Sequence, residues 1–345
     1  MAQARSAQSC LACGYLGSAL HPSMSANEAL LVGPTVQWRR LLFTSHFSAS
    51  WGERMWEFSA GLLLLQLAGG DSLELPAQLG FAMLLTNACL GPKIGSLVDR
   101  ASAIKAPLVA LAVQSAGIAM AALSAAVALV PLGEDHTAMF SGPLVQISVI
   151  GFSCIAKLAS LGSRLSVEKR WAKALTTGDS SALASLNGTL RRIDLTCKIM
   201  APVLAGAVMS IVSPPAAGAL VAVSNLLAWP VEVLCLVRVH RDPWCHEQLE
   251  ASTSSTPTTK KLTDEQELVA KGKTWQLYFA QSGLWPSAFA LSMLHLTVLS
   301  FGQLMTAYVM TLGVSAAVVA FYRSFGEIFG VTATVVAPRV VGRLG

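Results

Sequence analysis

The sequence predicts an all-α protein that crosses a lipid bilayer several times, and its composition and hydropathy pattern indicate this. Of its 345 residues, 53% are hydrophobic and only 12% are charged, and the apolar residues fall in long blocks. A soluble domain carries about 25% charged residues, so this chain is neither an ordinary soluble globule nor a disordered protein. The net charge of +5 does not indicate a nucleic-acid partner, because Lys and Arg occur in short clusters between the apolar blocks.

Eight blocks are long enough to span a bilayer, since a membrane helix needs roughly 20 mostly apolar residues. They cover residues 41–67, 77–97, 105–131, 138–165, 183–212, 216–238, 286–311 and 314–338. The segment 240–274 is instead polar and rich in Ser and Thr, which is typical of a linker. We therefore predict a disordered tail over 1–38, a six-helix lobe over 39–239, a cytoplasmic linker over 240–274 and two helices of a second lobe over 275–345.

The charges of the connecting loops predict the orientation of these spans. Four alternate loops, at 68–76, 132–137, 213–215 and 312–313, contain no Lys or Arg. All the intervening connections carry positive charge, and cytoplasmic loops are the ones enriched in Lys and Arg. The N-terminus and the linker are therefore expected to be cytoplasmic.

Six spans followed by a long cytoplasmic linker are typical of major-facilitator transporters, which have two six-helix lobes. The loop after the second span agrees, because it reads Gly95-x-x-x-Asp99-Arg100, the signature of that superfamily. We predict a gating role for Asp99 and Arg100, with a plain cytoplasmic turn as the alternative. Since only two spans follow the linker, we expect the second lobe to be incomplete.

Polar side chains in the first span indicate a metal site. His46, Ser50, Glu53 and Glu57 are spaced by four, three and four residues, so they share one helix face. Glu53 and Glu57 repel each other unless a positive group lies between them, and a divalent ion such as Fe²⁺, Co²⁺ or Zn²⁺ suits these nitrogen and oxygen ligands. The alternative is that Arg54 neutralises Glu57 and that His46 only packs.

Other spans carry further candidate ligands, because an ionisable group at mid-bilayer costs about 2.5–3.5 kcal/mol on insertion scales. Asn225 and Glu232 lie two turns apart on the sixth span, and Gln114 lies in the third. Asp194 lies in the fifth span, where pairing with Arg191 is the structural alternative. The sequence contains no P-loop, HExxH or complete hydrolase motif, so we predict a protein that is not an enzyme.

Three segments resemble motifs of the ferroportin family (solute carrier family 40). They are residues 50–58 (SWGERMWEF), 187–194 (NGTLRRID) and 296–302 (LTVLSFG), and the resemblance runs from about 40 to 342. It implies a major-facilitator fold and efflux of Fe²⁺ by alternating access, with Co²⁺ or Ni²⁺ as further cargo in plant members. It implies no permanently bound cofactor.

The resemblance also implies roles for individual residues. Glu53 matches the metal-binding acid of the first helix, and Glu57 and His46 match further positions there. The positions that bind Ca²⁺ together with that acid in animal members correspond to Gln114, Asn225 and Glu232, and Asp194 matches a functionally important acid.

Two departures from the family pattern change the expectations. Gln303 stands where animal members have a cysteine that ligates metal and engages hepcidin, which argues against control by that hormone. Arg170 replaces an Asp of the inner gate. The alternatives are a non-transporting fragment and an organic-solute carrier on the same fold. We favour the plasma membrane as location, with the vacuolar membrane and the plastid envelope as alternatives.

Overall fold

The computed structural model describes residues 36–130, 142–177, 179–254, 278–296 and 302–344, which are helical and contain no β-strand. This confirms the all-α fold class. The helices are α1 (Val36–Leu67), α2 (Glu74–Arg100), α3 (Lys105–Ala128), α4 (Pro143–Arg164), α5 (Ala172–Leu175), α6 (Ser180–Ile211), α7 (Pro214–Arg241), α8 (Pro243–Ser254), α9 (Leu284–Leu296), α10 (Gln303–Thr311) and α11 (Ala316–Leu344). A π-helical segment, Leu165–Trp171, joins α4 to α5.

The first six predicted spans correspond to α1, α2, α3, α4, α6 and α7, with ends that agree within five residues. Five segments among the described residues are long and apolar enough to cross a bilayer. They are α2, α3, α6, α7 and the continuous segment Pro143–Leu175, so the chain is an integral membrane protein. The helix α1 is equally long but carries buried charges in its middle.

The seventh predicted span, 286–311, is wrong as a single helix. The helix α9 is described as far as Leu296, residues 297–301 lie outside the described residues, and α10 begins at Gln303 after the non-helical Gly302. Gly302 is extended, with φ −74° and ψ −178°, so the helical ladder of backbone hydrogen bonds cannot pass through it. Its carbonyl instead starts α10, because it accepts a hydrogen bond of 3.1 Å from the Thr306 amide.

The predicted linker also begins differently from the expectation, because α7 continues to Arg241 and α8 follows at once. The Asp242 carboxylate caps α8 by accepting bonds from the amides of Trp244 (3.1 Å) and Cys245 (3.2 Å). Cys245 and Leu249 are fully buried, and burial raises the pKa of the Cys245 thiol to about 12. The amphipathic spacing of these residues docks α8 on the lobe. The remaining linker residues, 255–274, and the tail, 1–35, lie outside the described residues.

The helix α1 runs through the middle of the bundle and packs against α3, α6 and α7. Its Leu62, Leu63 and Leu64 are fully buried, so this part of the helix packs inside the bundle. Small residues let other helices approach closely. Gly206 on α6 faces the Ala316 carbonyl and the Ala320 methyl of α11, where an added Cβ would lie 2.8 and 2.9 Å from them. The fold therefore places the polar middle of α1 at the centre of the described helices.

Candidate functional site

The middle of α1 carries three charged side chains that the fold buries or half-buries. Glu53 is 7% exposed and Arg54 is 5% exposed, whereas Glu57 is half-buried. His46 and Ser50 are buried on the same face as Glu53, as the spacing predicts. Charges in such a position require partners, since desolvation of an unpaired ion costs several kcal/mol.

Two cations on α4 hold the carboxylate of Glu53. The Lys157 ammonium lies 3.1 Å from Oε1, and the Arg164 guanidinium lies 2.6 Å from Oε2. Lys157 and Arg164 are seven residues apart, so both project from one face of α4. The arrangement holds Glu53 from two sides.

Arg54 is the centre of a second group of ion pairs. Its Nε and Nη2 donate to Asp194 Oδ1 at 2.9 and 2.6 Å, and its Nη1 donates to Glu57. Asp194 Oδ2 also accepts a bond of 3.0 Å from Arg191, and Glu57 Oε1 lies 3.3 Å from Arg323 of α11. Both pairs that the sequence offered as structural alternatives, Arg54 with Glu57 and Arg191 with Asp194, are therefore present.

We call this set the buried charge cluster. Its members are Glu53, Glu57, Asp194, Arg54, Lys157, Arg164, Arg191 and Arg323. Three carboxylates face five cations, so the cluster has a surplus of two positive charges. A divalent ion can bind Glu53 or Glu57 only if at least one of these cations moves away, because like charges in a buried site repel strongly.

Gln114, Asn225 and Glu232 lie beside a neighbouring face of α1. The Gln114 amide donates to the Ala49 carbonyl at 3.3 Å, and the Glu232 carbonyl accepts a bond of 3.4 Å from Ser45. The Asn225 side chain fills the space beside Gly52, where an added Cβ would overlap it.

The expected grouping of Glu53 with these three residues stays a prediction. Consecutive residues on a helix point about 100° apart, so Gly52 faces Asn225 on α7, whereas the Glu53 carboxylate pairs with Lys157 and Arg164 of α4. Gln114 contacts Ala49, which lies one turn from Glu53 on the same face of α1.

Two buried atoms of the ligands predicted from the sequence lack a hydrogen-bond partner among the residues that the structure describes. One is Oε2 of Glu232, which is 2% exposed. The other is Nε2 of His46, which lies 4.0 Å from Oε1 of Glu168. Each atom is free to bind a proton or a cation, because a buried polar atom without a partner is costly.

A cavity of about 880 Å³ reaches the buried charge cluster between α1, α2, α4 and α10. Its walls include Glu53, Glu57, Lys157, Asn87 and Gln303. Gln303 therefore lines the same cavity as the two acids of α1. The volume is large enough for a hydrated ion or a small organic molecule.

The predicted gating residues lie at the ends of α2 and the π-helical segment. Asp99 and Arg100 are exposed in the last turn of α2. Arg170 donates to the carbonyls of Val98 (3.0 Å) and Ala101 (2.8 Å), where a cation stabilises a helix C-terminus. The end of α2 therefore contacts the segment after α4 through backbone carbonyls.

Sequence reasoning missed Lys157, Arg164 and Arg323 as counter-ions of the acids on α1. The spacing of Lys157 and Arg164 was visible as a single basic face in an apolar helix, but nothing in the sequence indicates which acid that face meets. Arg323 lies 266 residues after Glu57 in the chain. Pairs so distant in sequence are set by the packing of the helices.

Comparisons with known proteins agree on one family. The family model described as Ferroportin1 (FPN1) matches residues 37–345. Solute carrier family 40 member 1 of Oryza sativa subsp. japonica is 32% identical over 317 residues, covering 88% of this chain and 65% of that protein. Ferroportin of Homo sapiens is 26% identical over 335 residues, covering 86% of this chain and 58% of that protein. The chain thus spans about three fifths of the length of these two relatives.

Solved structures of similar fold include a bacterial homologue of the iron transporter ferroportin in two states. The inward-facing structure has a TM-score of 0.63 and 23% identity, and the outward-facing structure has a TM-score of 0.63 and 24% identity. Both comparisons cover 90% of this chain and 70% of the solved one. The likeness supports the major-facilitator-type fold predicted from the six spans and the linker.

Proposed function

The chain belongs to the ferroportin family, and from this premise we propose that it moves a divalent metal ion across a membrane. The proposed activity is efflux of Fe²⁺ by alternating access, with Co²⁺ and Ni²⁺ as chemically similar cargo. The names of its relatives as ferroportins and of the solved homologue as an iron transporter support the substrate class. Alternating access between lobes is the mechanism of major-facilitator folds.

The observation that carries the proposal is that Glu53 and Glu57 line one cavity from the central helix α1. Acids at membrane depth are costly, and in transporters they mark substrate and ion pathways. Carboxylate oxygens suit a divalent transition ion, particularly where an imidazole such as that of His46 lies on the same helix face. The cavity supplies a route by which the ion reaches Glu53.

We propose that metal loading is an exchange of cations at Glu53. Lys157 and Arg164 neutralise this acid when the ion is absent, and both side chains are about one third exposed, at 33% and 34%. Partly exposed side chains can swing toward water at low cost. An arriving metal ion takes their place, and the pairs form again when the ion leaves.

A separate Ca²⁺ site at Gln114, Asn225 and Glu232 is the second part of the proposal. Amide and carboxylate oxygens are the ligands of hard cations, and the unpartnered Oε2 of Glu232 supports this assignment. Because Glu53 pairs with α4, this site would act on transport by fixing the position of α1 against α7.

An organic-anion carrier is the second candidate, because the buried charge cluster has a surplus of two positive charges. One experiment separates the two functions. Glu53→Gln removes a metal ligand and increases the positive charge, so it should weaken metal binding and strengthen the binding of an organic anion.

The test uses the purified full chain with His246→Gln, which removes a ligand of a separate His and Glu cluster at the end of α7. Co²⁺ binding is measured by calorimetry and radioactive iron flux in proteoliposomes. Glu53→Gln should lower Co²⁺ affinity at least tenfold and abolish flux, whereas Glu74→Gln, an exposed acid at the start of α2, should change neither. Unchanged Co²⁺ binding in Glu53→Gln would make this acid structural. Binding without flux in the parent chain would favour the non-transporting alternative.

A further inference from the structure

A second group of metal-ligating side chains lies at the junction of α7 and α8, far along the chain from the acids of α1. It consists of His240, His246 and Glu250. One ligand atom of each residue lies within 4.8 Å of the other two. The two imidazole rings meet edge to face, with centroids 4.7 Å apart and an interplanar angle of 79°.

The local structure fixes two of these residues on one helix. His246 and Glu250 are four residues apart on α8, so their side chains lie one turn above each other on the same face. The helix itself is held in place, because Asp242 caps it and Leu249 is fully buried. His246 and Glu250 are exposed, which leaves their side chains free to turn toward a ligand.

The third residue comes from the other side of the junction. His240 is in the last turn of α7, and only Asp242 separates α7 from α8. The His246 amide donates to the Asp242 carbonyl at 2.8 Å, which is the first helical hydrogen bond of α8. The junction at Asp242 therefore brings an imidazole of α7 close to the two ligands of α8.

One atom of this group is buried without a hydrogen-bond partner among the described residues. It is Nδ1 of His240. An unsatisfied buried polar atom costs about 1–3 kcal/mol, and in most proteins such atoms have a partner. A metal ion bound by the three side chains would give the His240 ring a ligand.

We infer that His240, His246 and Glu250 form a binding site for a divalent transition-metal ion. Two imidazoles and one carboxylate are a ligand set of three-residue zinc sites, with water in the fourth position. Imidazole-rich sites favour Zn²⁺, Ni²⁺, Co²⁺ or Fe²⁺ over Ca²⁺ and Mg²⁺. Ligand atoms around a tetrahedral Zn²⁺ are roughly 3.3 Å apart, so small rotations of the two exposed side chains close the site.

The site is independent of the proposed transport path. It follows the last helix of the first lobe, on the side that the positive loops predict to be cytoplasmic. A bound ion would link α8 to α7. The occupancy of the site would depend on the concentration of metal on that side. Its occupancy requires neither the cavity nor any movement of the buried charge cluster.

The experiment measures metal binding by the full chain in detergent, with Glu53→Gln removing the central acid of the proposed transport site. Co²⁺ is titrated by its visible absorption, and Zn²⁺ is then used to displace it. We expect about one equivalent of tightly bound metal. His246→Gln and Glu250→Gln should each lower Zn²⁺ affinity more than about 100-fold, since loss of even an outer partner of a metal ligand costs 10–100-fold.

The matched control is Glu247→Gln, which removes an exposed acid from the next position of the same helix. It should leave Zn²⁺ affinity within twofold of the parent, because Glu247 is not one of the three ligands. Both ligand variants are exposed substitutions, so they do not unfold the chain. Equal Zn²⁺ affinity in His246→Gln and the parent, or an equal loss in Glu247→Gln, would overturn the site.

Discussion

Arg164 on α4 forms an ion pair with Glu53 on α1, with 2.6 Å between Nη2 and Oε2. The pair joins two membrane helices at the wall of the cavity, and Lys157 pairs with the other oxygen of the same carboxylate. The acid that the sequence marks as a metal ligand is therefore neutralised by protein cations. Metal binding must compete with these cations, which leads to the first prediction.

Lys157→Met should strengthen divalent metal binding by roughly tenfold. The substitution removes one of the two cations that compete for Glu53, and at an effective dielectric constant of about 20, with partial solvent screening, one nearby charge has an effect of this size. Arg164 remains to neutralise the acid, so the fold is preserved. Calorimetric titration with Co²⁺ measures the change, and Lys169→Met, an exposed lysine, is the control. Weaker Co²⁺ binding in Lys157→Met would contradict competition.

Arg54→Met should lower the free energy of unfolding by about 3–5 kcal/mol, because it leaves Asp194 and Glu57 buried with one counter-ion fewer. Arg191 pairs with the same Asp194 but is 56% exposed, so Arg191→Met should cost less than about 1 kcal/mol. Chemical denaturation in detergent compares the two variants. Similar losses would mean that burial does not determine the strength of these pairs.

Gly206→Ala should destabilise the contact between α6 and α11 by about 1–3 kcal/mol, the usual cost of overpacking. The new methyl group would meet the Ala316 backbone at 2.8 Å, and a backbone cannot rotate away as a side chain can. Gly151→Ala is the matched helix control, because it enters open space and should gain up to about 1 kcal/mol in helix propensity. The midpoint temperature of thermal unfolding should fall for Gly206→Ala but not for Gly151→Ala.

Single cysteines should report the topology that the loop charges predict. In a chain whose seven native cysteines are replaced, Asp71→Cys should react with an impermeant maleimide on intact cells, because its loop lacks Lys and Arg. Glu247→Cys should react only after the membrane is opened, because the linker is expected to be cytoplasmic. Labelling of Glu247→Cys from outside would mean that every span has the opposite orientation to the predicted one.

The first-lobe helices were predictable because each is a local property of the sequence. An apolar block of 20 or more residues between polar loops determines a span, and the loop charges determine its direction. The same reasoning failed at Gly302, where the apolar block continues but the backbone becomes extended. Hydropathy does not distinguish a continuous helix from one interrupted by a glycine.

The candidate site was predictable only within single helices. The Arg54–Glu57 and Arg191–Asp194 pairs are three residues apart, so helix geometry alone indicates them. The partner of Glu53 depends on how α4 turns toward α1, and the approach of His240 to His246 depends on the turn between α7 and α8. These relationships arise from tertiary packing, which one sequence without relatives does not specify.

Glu57 is shared between Arg54 of its own helix and Arg323 of α11, on the other side of the linker. Any rocking movement that separates α11 from α1 must pull a positive side chain away from a negative one inside the bilayer. Charge that moves through the transmembrane field does electrical work of up to about 2.3 kcal/mol per elementary charge at 100 mV. Under the proposed alternating access, the membrane voltage would therefore be one of the forces that set the balance between the two orientations of the lobes.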